Sequence, residues 1–115
     1  MSDMKQVIIP KREVWRAVVG FPEYAVSSAG RVKRVIRDKK NHSPGILKPW
    51  GNNKGYATVC LCDATGKYNK LVSRLVCMAF HGSAPTARHE VAHKDGKPEN
   101  NHYRNVRWAT RSENM

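Results

Sequence analysis

The sequence predicts an α+β fold in which short strands outnumber helices. Three observations carry this. Residues 56–62, YATVCLC, form a run rich in β-branched and aromatic residues, bounded by the turn-forming stretches GNNKG and DATG. Residues 27–30, SSAG, make a turn between two further strand-like runs, and Gly30 is free to take positive φ. One internal segment, 73–80, instead spaces its apolar residues as a helix does.

Taken in order, residues 1–12 are polar except for an apolar patch at Val7 to Ile9, which Pro10 ends. Residues 24–26 and 31–35 read as short strands, and 37–44 as a charged loop closed by Pro44. A third strand is expected over 46–50, followed by the turn at 51–55. The strand 56–62 turns at 63–66, and 67–72 returns antiparallel. In the helix 73–80, SRLVCMAF, Ser73 is the expected N-cap and Leu75, Val76, Met78, Ala79 and Phe80 the buried stripe. Gly82 to Pro85 break it. Two strands, 89–93 and 105–110, then flank the loop 94–104, and 111–115 begins a second helix. Trp15, Trp50 and Trp108 are expected to anchor the core. There is no internal repeat.

At 115 residues the chain is one ordinary domain, or two very small ones sharing a core. Its 21 Lys and Arg against 9 Asp and Glu give a formal charge of +12, an excess that implies a polyanionic partner. Nucleic acid comes first, an anionic membrane surface second. No apolar run is long enough to span a bilayer and no segment has signal-peptide length, so the expected location is the cytoplasm. Three cysteines outline no disulfide framework. Cys60 and Cys62 lack the spacing of a zinc knuckle and are expected to be buried thiols on one strand face.

Two blocks resemble a known family. Trp15, Gly20, Phe21, Tyr24, Val26, Ser27, Gly30, Arg31 and Val32 fit the NUMOD4 module found at the N-terminus of phage and intron-encoded homing endonucleases. The stretch LVSRLVCMAFHGSAPTARHEVAHKDGKPENNHYRNVRWATRSEN resembles the HNH nuclease domain that usually follows it. The resemblance implies a β-rich DNA-binding module at 13–50, then an HNH domain at 56–115 built as a ββα-metal (His-Me finger) core, in the host cell of a phage or mobile element.

It also implies roles. His93 matches the general base, Asn105 the residue that holds the loop and orients the histidine, and Asn114 the helical metal ligand. The chemistry suits these types: imidazole can deprotonate water near neutral pH, and one divalent ion, Mg²⁺ or Mn²⁺, offsets charge on the leaving oxygen. No small-molecule cofactor is expected. Asp95, Asn100 and Asn101 read as loop builders, and His89 as a strand-edge histidine. His93 has the plainer alternative of a loop histidine bonded to backbone.

Three positions depart from the family pattern. Ala92 stands where relatives carry a metal-binding Asp, His or Asn. Val72-Ser73-Arg74 replaces the usual Val-His-Arg, and the chain ends at Met115, so the ligand-bearing helix is expected to be truncated. The expected function is metal-dependent hydrolysis of double-stranded DNA, nicking one strand at a time, by a monomer or weak dimer. Arg31, Lys33, Arg34, Lys54, Arg74, Lys94, Arg104, Arg107 and Arg111 are the expected DNA contacts, unless Arg31, Lys33 and Arg34 are simply a solvated face. The competing reading is a weakened or inactive HNH protein that only occupies DNA. An RNA-binding or ribosomal protein would share the charge but leave the stretch from His93 to Asn114 unexplained.

Overall fold

Alternating valines and one tyrosine build the first sheet. The computed structural model describes residues 12–35 and 45–114, so the expectations for 7–10 and 37–44 lie outside the described residues. Strands β1 (Trp15–Val18), β2 (Phe21–Ser27), β3 (Val32–Arg34) and β4 (Gly45–Ile46) pair antiparallel in that order. Tyr24, Val26 and Val32 from this sheet are buried. Strand β1 was not expected from its four residues, one of them charged; its stability comes from the neighbour, with Trp15 opposite Ser27 and Ala17 opposite Ala25.

The expected strand at 46–50 is two separate pieces. Ile46 ends β4, Leu47 to Pro49 cross over, and β5 (Trp50–Gly51) opens a different sheet. Pro49 has no N–H to offer a ladder, which suits a crossover. Strand β5 pairs with β6 (Ala57–Asp63), which pairs with β7 (Gly66–Leu71), both antiparallel. Strand β7 runs straight into helix α1 (Val72–Phe80), so Leu71 is the N-cap and contributes no side-chain capping bond. Ser73, expected to cap, instead lies buried inside the first turn.

Helix α1 presents Val72, Leu75, Val76 and Cys77 to the interior and touches strands of all three sheets. The third is the hairpin β8 (Glu90–His93) and β9 (Val106–Ala109), followed by the one-turn helix α2 (Arg111–Asn114). One core therefore runs through the chain, from Val18, Tyr24 and Val26 through Val59 and Leu61 to α1 and Val106. Burial of these side chains, rather than helix propensity, holds a nine-residue helix in place.

Of the three tryptophans expected to anchor the core, Trp108 packs against it, and Trp15 and Trp50 do not. Trp50 is 44% exposed, and Trp15 and Trp108 are half-buried. The indole of Trp15 carries Lys33 Nζ at 4.1 Å, a cation–π contact rather than a core one. Cys60 and Cys62 are half-buried rather than buried, and only Cys77 sits in the core, where burial pushes its thiol up to about 11. All three are free thiols. No helix among the described residues is long and apolar enough to cross a membrane.

Tyr24 joins the first two sheets. Its buried hydroxyl accepts from Arg34 Nη2 at 2.6 Å and from the Cys62 backbone N–H at 3.0 Å. Tyr24→Phe leaves a buried guanidinium and a strand N–H short of an acceptor, which should cost about 1–3 kcal/mol. Urea unfolding reads this directly, and an unchanged midpoint would show the bond to be dispensable.

Candidate active site

The hairpin β8–β9 sets the geometry. Antiparallel register places Ala92 opposite Arg107 and His93 opposite Val106, so the histidine stands at the mouth of the loop 94–105. That loop is closed by one side chain. Asn105 Oδ1 accepts from the Asp95 N–H (3.1 Å), while its Nδ2 donates to Asp95 Oδ1 (2.9 Å) and to the Asn100 carbonyl (2.8 Å). Its own carbonyl accepts from the Lys94 N–H at 2.8 Å. Both hydrogens of its amide and its amide oxygen go into loop shape.

Asp95 is the other knot. Its carboxylate also accepts from Asn100 Nδ2 (2.7 Å) and the Lys97 N–H (2.9 Å), as expected of a loop builder. These bonds, with Asn100 first, then Lys97 and Asn105, lower its pKa from 3.8 to about 2. A carboxylate depressed on folding stabilises the loop above its unfolded pKa. That contribution is complete above about pH 4 and is lost as pH falls through about 2.

Asn101, also expected to be a loop builder, does something different. It is buried, and its Oδ1 accepts from His93 Nε2 at 2.9 Å. An amide carbonyl only accepts, so Nε2 carries a hydrogen, and in the neutral ring Nδ1 is then the bare nitrogen. The half-buried His93 ring packs near Tyr56, centroids 5.9 Å apart, and lines a shallow groove with Val91, Gly96, Pro98 and Asn114.

Asn114 is held although α2 is a single turn. Thr110 and Glu113 form a reciprocal cap: the Glu113 N–H donates to Thr110 Oγ1 (3.3 Å), and the Thr110 N–H donates to Glu113 Oε1 (2.8 Å). The backbone bond from Thr110 is the largest cause holding the Glu113 carboxyl below its usual range. Asn114 Nδ2 donates to Glu90 Oε1 at 3.0 Å. Glu90 and Asn114 also line a second hollow with Tyr56, Ser73 and Arg74, and it shares Tyr56 and Val91 with the groove at His93. Ala92 is buried, 4% exposed, and supplies only a methyl. Alternation along β8 puts Glu90 on the same strand face as Ala92.

Of the basic residues expected to meet DNA, Lys54, Lys94, Arg104, Arg107 and Arg111 are exposed. Arg74 is exposed over the Trp108 ring at 5.1 Å. Arg34 must be removed from that set: it is buried, its guanidinium bonded to Tyr24 and to Glu23 Oε1 at 3.3 Å. Arg31 is exposed but paired with Glu13, Nε to Oε2 at 2.9 Å, and this bond takes the glutamate down to about 2. His89 lies just outside β8, its Nδ1 within 2.8 Å of Thr86 Oγ1.

Residues 13–62 match the NUMOD4 motif, and residues 70–115 match the HNH endonuclease family. In shape the chain is similar to the solved structure of the HNH homing endonuclease I-HmuI, described for DNA binding and cleavage, with a TM-score of 0.72 and 30% identity over 86% of this chain and 53% of that one. The chain is an HNH domain of the homing-endonuclease type behind a NUMOD4 module. Two uncharacterised HNH endonucleases of Acanthamoeba polyphaga mimivirus are similar along its length, 34% identical over 91% of the chain and 29% over 87%. The chain spans about a quarter of the length of these curated relatives, 26% and 28%.

The NUMOD4–HNH pair has four site features that sequence reasoning missed: the Asn101 bond to His93, the nearness of Glu90 to Asn114, Tyr56 beside the histidine, and the cap on α2. Only the last had a sequence signal, the Thr-x-x-Glu pattern at 110–113.

Proposed function

We propose that this NUMOD4–HNH chain is the cutting part of a homing-type endonuclease that hydrolyses phosphodiester bonds in duplex DNA with the help of one divalent ion. The observation that carries it is the His93–Asn101 bond: it leaves Nδ1 as a proton acceptor on a ring that lines an open groove shared with Asn114. Asn105 and Asp95 fix the loop that holds this ring. The exposed Lys94, Arg104, Arg107 and Arg111 of the same domain supply positive charge for the backbone of the scissile strand.

The residues present fit a hard cation. Among the described residues no three His, Cys, Asp or Glu side chains converge, which argues against a zinc-type cage. Magnesium and manganese need oxygen donors and take as few as one or two from protein. Asn114 would supply an amide oxygen by turning its side chain over, since it now donates Nδ2 to Glu90 Oε1, and Glu90 would supply the carboxylate that Ala92 does not. When bound, the ion supplies Lewis-acid stabilisation of the leaving oxygen. One such site per chain gives a nick.

Buried Ala92 favours a second reading, a protein that holds DNA and cuts it poorly. Incubation of supercoiled plasmid with Mg²⁺ or Mn²⁺ separates the two: nicked circles support the first, a gel shift without nicking the second. Both require binding through phosphates. About six contacts give a slope near −5 in log affinity against log salt, and a flat response would remove the basic surface from the argument.

A further inference from the structure

The loop that carries Asn101 does not stand alone; it is packed on the turn between β2 and β3. Gly30 in that turn has φ +87, and a Cβ placed there would lie 2.8 Å from Asn101 Cβ, 2.9 Å from its O and 3.0 Å from its C. Nothing larger than hydrogen fits. Two residues along the loop, the Tyr103 N–H donates to the Ser28 carbonyl at 2.9 Å. The turn itself is stiff. Buried Ser27 accepts from the N–H groups of Ala29 (3.2 Å) and Arg31 (3.0 Å), and Ser28 Oγ accepts from the Val14 N–H at 3.0 Å.

From these contacts we infer that Asn101 is a positioning residue for His93, and that the turn at Ser27 to Gly30 of the NUMOD4 module is its backstop. The N-terminal module thereby does more than hold DNA: it forms the rear wall of the nuclease site. Gly30 limits where Asn101 can sit, Asn101 Oδ1 anchors His93 Nε2–H, and that bond keeps Nδ1 bare and the ring fixed in the groove. The inference rests on His93 being the base for its catalytic consequence, but the mechanical coupling can be read without any cleavage.

The readout is the ring Nε2–H proton of His93, assigned by its loss in His93→Ala and recorded in ¹⁵N-labelled full chain near pH 8. Held by Asn101 it should be protected from solvent exchange and visible; released it should exchange away. Wild type and Asn101→Asp, which keeps an acceptor, should show it, and Asn101→Ala should lose it. Gly30→Ala should lose it too, although it changes neither partner. Gly20→Ala is the control. Gly20 has φ +84 but nothing within 4 Å of its would-be Cβ, so it carries the same backbone strain without the collision. It should keep the signal.

Thermal melts report folding for each variant. If Gly30→Ala does not fold, the Asn101→Ala and Asn101→Asp pair decides. A signal that survives in folded Asn101→Ala or Gly30→Ala overturns the inference. In nicking assays Asn101→Ala and Gly30→Ala should lower kcat on the order of 10²-fold with KM for DNA little changed, as for a misplaced catalytic group. If wild type does not nick but the proton responds as expected, the function proposed above fails while the positioning role stands.

Discussion

Replacing His93 by alanine should lower plasmid nicking by ~10²–10⁴-fold, the range a positioned general base contributes, while DNA affinity holds. The affinity should hold because the proposed phosphate contacts, Lys94, Arg104, Arg107 and Arg111, are other exposed side chains, of which Lys94 alone adjoins the ring in sequence. Alanine also strands the Asn101 carbonyl in a buried position, so some lost activity could reflect a loosened loop. His93→Gln separates these effects. A glutamine amide can donate to Asn101 as the imidazole does, yet it cannot accept a proton from water. If His93→Gln folds as well as wild type and is as inactive as His93→Ala, the loss is one of proton transfer. If His93→Gln nicks at the wild-type rate, His93 is not the base and the groove does not act through it.

What the sequence revealed of this site follows from what is local. The run at 56–62 and the turn at 27–30 were readable because alternation and a positive-φ glycine are properties of neighbouring residues. The break at Leu47 to Pro49 was not, since two-residue strands exist only by virtue of partners in different sheets. Ser73 has the chemistry of an N-cap, but α1 begins directly after β7 with Leu71 as its N-cap, which leaves Ser73 inside the helix. Arg34 and Lys33 are adjacent basic residues on one short strand, yet the pleat sends one to Tyr24 in the core and the other to Trp15. The same holds at the nuclease loop. Positions 93, 105 and 114 were singled out by the resemblance to the HNH family, but Asn100 and Asn101 are chemically identical, and only the bond to His93 and the contact with Gly30 set Asn101 apart.

The second large effect concerns the ion. Glu90→Gln should weaken Mn²⁺ binding at least about tenfold in calorimetric titrations of the free protein, since removing a unit charge at contact distance is worth that much even at surface dielectric. Nicking should fall with it. Ala92→Asp supplies the logic of the test. Position 92 is 4% exposed, so an aspartate there costs stability unless an ion neutralises it. Its melting temperature should therefore drop without Mn²⁺ and recover with it. In the double variant Glu90→Gln/Ala92→Asp, Mn²⁺ affinity should return if the new carboxylate, two residues along on the same face of β8, takes over from Glu90. If Glu90→Gln binds Mn²⁺ as wild type does, Glu90 is only the hydrogen-bond partner of Asn114. Should wild type then nick feebly and Ala92→Asp nick far faster, the alanine at 92 is the defect and the chain chiefly occupies DNA.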